Sequence, residues 1–305
     1  MTGANDLLRV EGLRIAFRLY GNVQEVVRGA SFRIAPGKIT ALVGESGSGK
    51  SVISQAIMGI LPKAGGITGG TIFFDDPNSS EAPVDIASLD PEGRQMRSIR
   101  GGQISMIFQE PMTSLSQLHT IGDQIGEAAR LHFELTKPEI KERTIEMLGL
   151  VGFPNPEQAY SKYPFELSGG LRQRAMIAMA LICRPALLIA DEPTTALDVT
   201  VQAQILKLLK DLQQKFHMAV LLITHDLGVV ANMADEVIII YHGEILEAGT
   251  VEHVFRNPKH EYLTALLKAV PHFDMKPGER LKSLREIPRS TSPSLSKRDG
   301  EDAAQ

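Results

Sequence analysis

Between positions 44 and 51 the chain reads Gly44-Glu45-Ser46-Gly47-Ser48-Gly49-Lys50-Ser51, matching the pattern G-x-x-x-x-G-K-[ST] throughout. Glycines at these points let the backbone turn tightly, so that successive N–H groups converge on one anion. A helix beginning near Lys50 adds the positive end of its dipole. Lys50 has the length to reach the β- and γ-phosphates of a nucleotide, and Ser51 can place its hydroxyl on Mg²⁺. These residues specify the binding of a nucleoside triphosphate.

Phosphate loops serve many chemistries, so other residues must supply the reaction. The apolar run at 186–190 ends in Asp191-Glu192. A carboxylate at the tip of a buried strand, beside a phosphate loop, can hold Mg²⁺ through water. Glu192, one position on, points elsewhere and can polarise a water for attack on the γ-phosphate. A capped or salt-bridged acidic pair is the plainer reading, but charges adjoining so apolar a strand are costly without a task. The next apolar run ends in Thr224-His225-Asp226, where His225 could hydrogen-bond the γ-phosphate or align the water. Gln109 follows another short apolar run and could join the Mg²⁺ shell or sense the γ-phosphate.

A second anion site is written at Ser168-Gly169-Gly170, which opens a long helix but carries no lysine. A capped helix with a Gly-rich lead is the bland alternative. Two phosphate-binding helix starts with one lysine-bearing loop suggest that two chains share each nucleotide.

These groups need a frame. Residues 39–43 read as a buried strand before the loop, and 52–60 as the helix after it. Upstream, apolar residues alternate over 8–34 as in antiparallel strands. A Gly-rich turn at 65–70 leads to a strand at 71–74, and the polar, proline-bearing stretch 75–91 reads as an exposed insertion. Residues 104–108 form a short strand. Helical spacing then runs from 121 to 163, with Pro138 suited to a first turn. A helix at 170–183, strands at 186–190 and 219–224, and helices at 199–216 and 227–233 alternate, and a strand at 237–241 closes the series. Such alternation implies a mostly parallel α/β sheet with crossover helices.

The chain has 305 residues, enough for one large or two modest domains. A net charge of −4 gives no electrostatic basis for binding nucleic acid. Cys183 is the single cysteine, so an internal disulfide is impossible, and its apolar neighbours suit a buried, inert thiol. No apolar run reaches about 18 residues, so membrane attachment would have to come through a partner. The N-terminus lacks the form of a secretory signal, and cytoplasmic work is expected.

Together these residues resemble the ATP-binding subunits of ABC transporters, from about residue 8 to Pro271. On that resemblance Gly44–Ser51 looks like the Walker A loop, with Val52 completing the nucleotide-binding stretch. Gln109 is similar to the Q-loop glutamine, 167–173 to the signature motif and 187–191 to Walker B. Glu192 matches the general base, Ala196-Leu197-Asp198 the D-loop and His225 the switch histidine. Phe17 falls where the family stacks an aromatic on adenine, with Tyr20 a nearby rival. Glu110-Pro111-Met112-Thr113-Ser114-Leu115, residues 172–180 and residues 257–264 look like the peptide/nickel importer branch. Ser116-Gln117 stands where that branch usually has Asn-Pro. The tail lacks the cysteine cluster many members carry, so no iron–sulfur site is carried over.

The resemblance implies a phosphate-loop NTPase (RecA-like) core with an N-terminal antiparallel β subdomain. It implies an ATPase domain over residues 1–275, a helical subdomain inserted at about 110–170, and a polar tail or linker over 276–305. It also implies ATP and Mg²⁺ as cofactors and two membrane permease subunits as partners. A second ATP-binding chain, alike or different, and indirectly a periplasmic solute-binding protein would complete the system. The chain would sit peripherally on the cytoplasmic face of a bacterial inner membrane and energise uptake of di- or oligopeptides. Opines or oligosaccharides are alternative cargoes of the branch. A non-transport ATPase or half of a tandem ATPase are alternatives of another kind.

Overall fold

The structure is a computed structural model describing residues 6–19, 21–76, 79, 82–109, 114–195 and 197–269. Tyr20, residues 110–113, Ala196 and the expected tail lie outside the described residues. The chain starts with two long antiparallel strands, β1 (Leu8–Leu19) and β2 (Asn22–Ile34), whose alternate side chains are buried. Strand β3 (Ile39–Val43) is buried along its whole length and leads into helix α1 (Lys50–Ile57). After α1 come β4 (Gly65–Phe74), the two-residue β5 (Val84–Asp85), α2 (Arg94–Ile99) and β6 (Ile104–Ile107).

Three helices follow: α3 (Ile121–His132), α4 (Lys137–Leu150) and α5 (Pro156–Tyr160). Pro138 lies in the first turn of α4, and a Thr136/Glu139 capping box closes its open end. Then α6 (Gly169–Leu181), β7 (Leu187–Asp191), α7 (Val199–Phe216), β8 (Ala219–Thr224) and α8 (Leu227–Met233) alternate. The series ends with β9 (Glu236–Tyr241), β10 (Glu244–Thr250) and α9 (Val251–Arg256). A separate unit beginning at Pro258 holds α10 (Glu261–Ala269).

Two sheets result. The four-stranded one has the order β2-β1-β4-β5 and is antiparallel; the six-stranded one has the order β10-β9-β3-β8-β7-β6. In the second, every neighbouring pair is parallel except β9–β10. Its central strands are apolar on both faces because both are covered. Leu188, Ala190, Val220 and Leu222 face a core shared with α3, α4, α6 and α7. Their sequence neighbours Leu187, Ile189, Leu221 and Ile223 face another core, built with the antiparallel sheet, α1 and α2. Cys183 is buried, and burial pushes its thiol up to about 11, consistent with an inert packing role.

Three expectations change. The Gly-rich stretch at 65–70 is strand rather than turn: β4 runs through it and pairs with β1 across two register shifts. Gly70, at φ +84, lies so close to the Gly12–Leu13 backbone that any Cβ would collide. Glycine serves close approach here, and the usual turn signal misleads. The stretch 75–91 is not simply an exposed insertion, because β5 pairs with Phe73 and Phe74, and Ile86 is buried. Asp85 anchors it by accepting from the N–H groups of Ile72 at 2.9 Å and Ala87 at 3.1 Å. Nor does β9 end the sheet, since β10 returns beside it.

Candidate nucleotide site

The four loops that carry the candidate residues leave the same edge of the parallel sheet. Register sets Ile107 beside Ala190, Asp191 beside Ile223 and Val43 beside Thr224. The loops after β6, β7, β8 and β3 therefore lie side by side in that order. Ligands of open α/β sheets bind at this carboxyl edge.

The loop after β3 is held from behind. Gly44 approaches the carbonyl of Ile240 and the Ser48 hydroxyl so closely that a Cβ has no room. The turn between β9 and β10 backs it: the Gly243 N–H donates to the Ser48 carbonyl at 3.0 Å, and the Gly243 carbonyl accepts from the Arg28 N–H at 2.8 Å. Gly49, at φ +104, opens α1 without any side-chain cap. The first amides of α1 are thus left for an anion. Lys50 is 5% exposed, and its Nζ donates to the carbonyls of Gly44 and Glu45, both at 2.8 Å. Burial lowers the Lys50 pKa, opposed by the charges of Glu192, Asp191 and Glu45.

Glu192 sits where β7 emerges between β6 and β8, and both neighbours reach it. The Gln109 amide donates to Oε2 at 3.2 Å, and His225 Nδ1 lies 3.1 Å from Oε1. Thr195 adds a third contact, its hydroxyl donating to Oε2 at 2.8 Å. The Glu192 side chain is 16% exposed and that of His225 is 66% exposed. Burial pushes the Glu192 carboxyl up, but hydrogen bonds from Thr195 and His225 and the charges of His225 and Lys50 outweigh it. The net direction is downward, leaving an ionised carboxylate able to accept a proton. Its backbone is left-handed, at φ +46, a conformation a residue with a Cβ holds only under constraint.

Asp191 is buried in the last position of β7. Burial raises its pKa, opposed by a hydrogen bond from Ser51 and by the Lys50 charge. Its Oδ1 is buried without a hydrogen-bond partner among the described residues. An orphaned carboxylate oxygen beside a serine hydroxyl suits a hard cation such as Mg²⁺. Among the described residues, no three His, Cys, Asp or Glu side chains cluster to hold a metal. Such an ion would also need phosphate oxygens and water. Gln109, the third expected ligand, donates to Glu192 through Nε2, a bond that does not use its amide oxygen.

The second set of residues lies apart from these contacts. Ser168 caps α6, accepting from the Leu171 N–H at 3.4 Å, and Asp198 caps α7, accepting from Thr200 and Val201, both at 3.0 Å. Ser168, Gly169, Gly170, Leu197 and Asp198 line a cavity of about 420 Å³. Asp198 is thus grouped with the signature-like helix and does not contact Glu192. Phe17 is half-buried, its ring lying over Gly65. Val52 is half-buried and packs on the core of the antiparallel sheet.

Sequence reasoning missed Thr195 and Gly243. Thr195 stands three residues after Glu192, a turn spacing that could have drawn notice. Gly243 had no local signal, because its role depends on β10.

A phosphate loop on a doubly covered parallel sheet, with a buried aspartate and an ionised glutamate at the end of β7, defines a nucleoside triphosphatase. The ABC transporter family profile matches residues 27–195, more than half of the sequence, and the chain belongs to that family of ATP-binding ATPases. It is 48% identical to the dipeptide transport ATP-binding protein DppD of Bacillus subtilis (strain 168), covering 90% of this chain and 79% of that protein. It is 47% identical to the oligopeptide transport ATP-binding protein OppD of the same organism, covering 94% and 78%. The glutathione import ATP-binding protein GsiA of Escherichia coli (strain K12) is 49% identical over 90% of this chain but only 44% of its own length. A solved dimeric ATP-binding cassette in a post-hydrolysis state with ADP and phosphate superposes with a TM-score of 0.68. It is 25% identical, covering 80% of this chain and 98% of that one. The architecture is that of an α/β phosphate-loop ATPase. Among the described residues, no helix is long and apolar enough to cross a membrane.

Proposed function

We propose that the chain is the ATP-hydrolysing subunit of a peptide importer, working in a pair of ATPase chains beneath two membrane permease subunits. Within it, Gly44–Val52 cradle the triphosphate, Lys50 spans the β- and γ-phosphates, and Glu192 takes the proton of the attacking water. His225 and Gln109 hold Glu192 and read the γ-phosphate. Phe17 offers a face to the base. The observation that carries this reading is the ionised Glu192 carboxylate, held by Gln109, Thr195 and His225 beside Lys50.

Ser51 and Asp191, with the Gln109 amide oxygen, would hold Mg²⁺, which neutralises charge developing on the phosphates. The separate cavity at Ser168, Gly169 and Gly170 supports pairing: that helix start faces the γ-phosphate bound by the second chain, and Asp198 lies at the seam. Contacts made only in the closed pair give ATP its differential affinity for that state. Hydrolysis removes them and reopens the pair.

The peptide cargo rests on the dipeptide and oligopeptide transport subunits the chain resembles along nine-tenths of its length. A periplasmic binding protein would deliver it, and the chain would sit peripherally at the cytoplasmic face of the inner membrane. Residues 1–275 would form the ATPase domain, with α3 to α5 inside an inserted helical subdomain.

Glu192→Gln tests the mechanism. It should bind ATP, nearly stop turnover and accumulate an ATP-dependent pair in light scattering; normal steady-state hydrolysis removes Glu192 from its role. Uptake of a labelled dipeptide, lost with Lys50→Ala and unaffected by excess oligosaccharide, tests the cargo.

A further inference from the structure

Gln173 is a buried amide between Arg172 and Arg174, just ahead of the apolar stretch of α6. It is 2% exposed, and its neighbours Ala175, Met176 and Ile177 are buried core residues. A buried amide without compensation is costly, so its partner matters. Its Nε2 donates to the carbonyl of Pro193 at 2.6 Å, across to the turn after β7. Proline has no N–H, so that carbonyl is the one backbone group by which residue 193 can be held. Pro193 directly follows Glu192, the strained residue at φ +46.

A left-handed residue with a Cβ keeps its conformation only when its surroundings over-determine it. Before it, the Glu192 N–H donates to the Ile223 carbonyl at 2.9 Å; after it, the Thr195 N–H returns to the Glu192 carbonyl at 3.1 Å. The bond from Gln173 fixes the peptide between them, and it comes from a different element. That element is the helix whose tip is Ser168-Gly169-Gly170. The same helix start packs Gly170 close to Val201 of α7, and Leu197 and Asp198 share its cavity.

We infer that Gln173 is a positioning residue coupling the two nucleotide-facing surfaces of one chain: it transmits the seating of the Ser168 helix tip on the partner's nucleotide to the Glu192 turn acting on its own. This rests on the paired-site reading above. When the tip is pulled toward a γ-phosphate, Gln173 carries the Pro193 carbonyl with it, and the Glu192 carboxylate is set relative to its own site. With the tip unengaged, the base loses that setting. The two sites then fire together rather than independently.

The test uses the assembled transporter carrying Gln173→Met or Gln173→Glu. Methionine keeps the length and apolar packing but has no donor. Its kcat should fall about tenfold, the effect of one buried donor, and its Hill coefficient for ATP should drop to unity. ATP affinity, measured by fluorescent-analogue binding on the Glu192→Gln background, should stay within about twofold of the parent, because Lys50 and its loop are untouched. Glutamate has no donor when ionised but has one when protonated, and burial favours the protonated form. Activity of Gln173→Glu relative to the parent should therefore recover as pH is lowered from about 8 to about 6, a response packing alone does not produce.

Parental kcat and Hill coefficient in both variants overturn the inference. So does a Gln173→Met variant whose ATP affinity and melting temperature fall in step with its rate. The Glu192→Gln control separates the two levels. If it pairs on ATP while the Gln173 variants behave as parent, this inference alone fails; if it does not pair, the paired-site reading fails and takes the inference with it.

Discussion

Replacing Thr195 by valine removes one donor from Glu192 and little else. The hydroxyl lies 2.8 Å from Oε2, and the Thr195 side chain is exposed while Glu192 is largely enclosed. A hydrogen bond to a charged group is worth about 1.5–3 kcal/mol when buried, and exposure brings this one to about 1 kcal/mol. That corresponds to about 0.7 on the pH scale. The sign follows from the carboxylate: Thr195 stabilises the ionised form, so its loss raises the Glu192 pKa from its depressed value toward the ordinary 4.5. The acid limb of kcat/KM, which reports the free enzyme's base, should move to higher pH by that amount. Thr195→Ser, which keeps the donor, should leave it in place. The measurement is ATP hydrolysis across the acid range for both variants and the parent, so that the nucleotide's own titration cancels. An unmoved limb in Thr195→Val means that the titrating base is not the carboxylate Thr195 touches. The stability from the same depressed pKa is fully present above about 4.5 and is lost as pH falls from there through the folded value, so in Thr195→Val the acid unfolding midpoint should also rise slightly.

Other outcomes follow from the loop and its supports. Lys50→Met should abolish ATP binding in equilibrium titration yet leave the nucleotide-free melting temperature unchanged or higher, because burial disfavours the Lys50 charge; retained affinity contradicts the cradle. For the parent, a lowered lysine pKa means that stability rises with pH between the folded value and 10.5, a slope Lys50→Met should lose in denaturant titrations. Gly243→Ala places a methyl against the Val26 carbonyl at a backbone φ of +84, and should cost about 2–4 kcal/mol of unfolding free energy along with ATP affinity. A stable, ATP-binding Gly243→Ala would show that the turn does not brace the loop. Asp198→Ala should lose about 1 kcal/mol with its cap, whereas Asp198→Asn keeps the acceptor and the stability. Slow hydrolysis by a fully stable Asp198→Asn then assigns the carboxylate a role at the seam; normal hydrolysis confines it to capping.

The parallel core was legible because its signals are local. Strands β3 and β8 are fully buried and apolar except for Thr40 and Thr224, and α7 and α8 start at capping aspartates, Asp198 and Asp226. What stayed hidden depends on distant partners. The glycines of β4 resemble a turn until β1 is laid beside them: Gly65 lies beneath the Phe17 ring, and Gly70 meets the Gly12 backbone. Strand β10 carries Glu244 and Glu247 and is mostly half-buried, so no apolar rhythm marks it. The site divides the same way. Lys50, Ser51, Asp191 and Glu192 can be read from motif and strand end. The company Glu192 keeps follows from strand order, since a residue leaving β7 is flanked by β6 on one side and β8 on the other.

That order also explains why most polar groups of the site are paired rather than exposed. Lys50 is folded onto the Gly44 and Glu45 carbonyls, Glu192 is held by Gln109, Thr195 and His225, and Asp191 and Ser48 each keep a buried oxygen without a hydrogen bond among the described residues. ATP must exchange the first set of bonds for bonds to phosphate, so its affinity is a difference between two satisfied states, not the sum of new contacts. Gln109 meets Glu192 through its Nε2 donor, so the amide oxygen, the atom that could ligate a cation, is not the one spent on the base. On the proposed reading, such a site keeps the Glu192 carboxylate ionised and hydrogen-bonded before the triphosphate arrives.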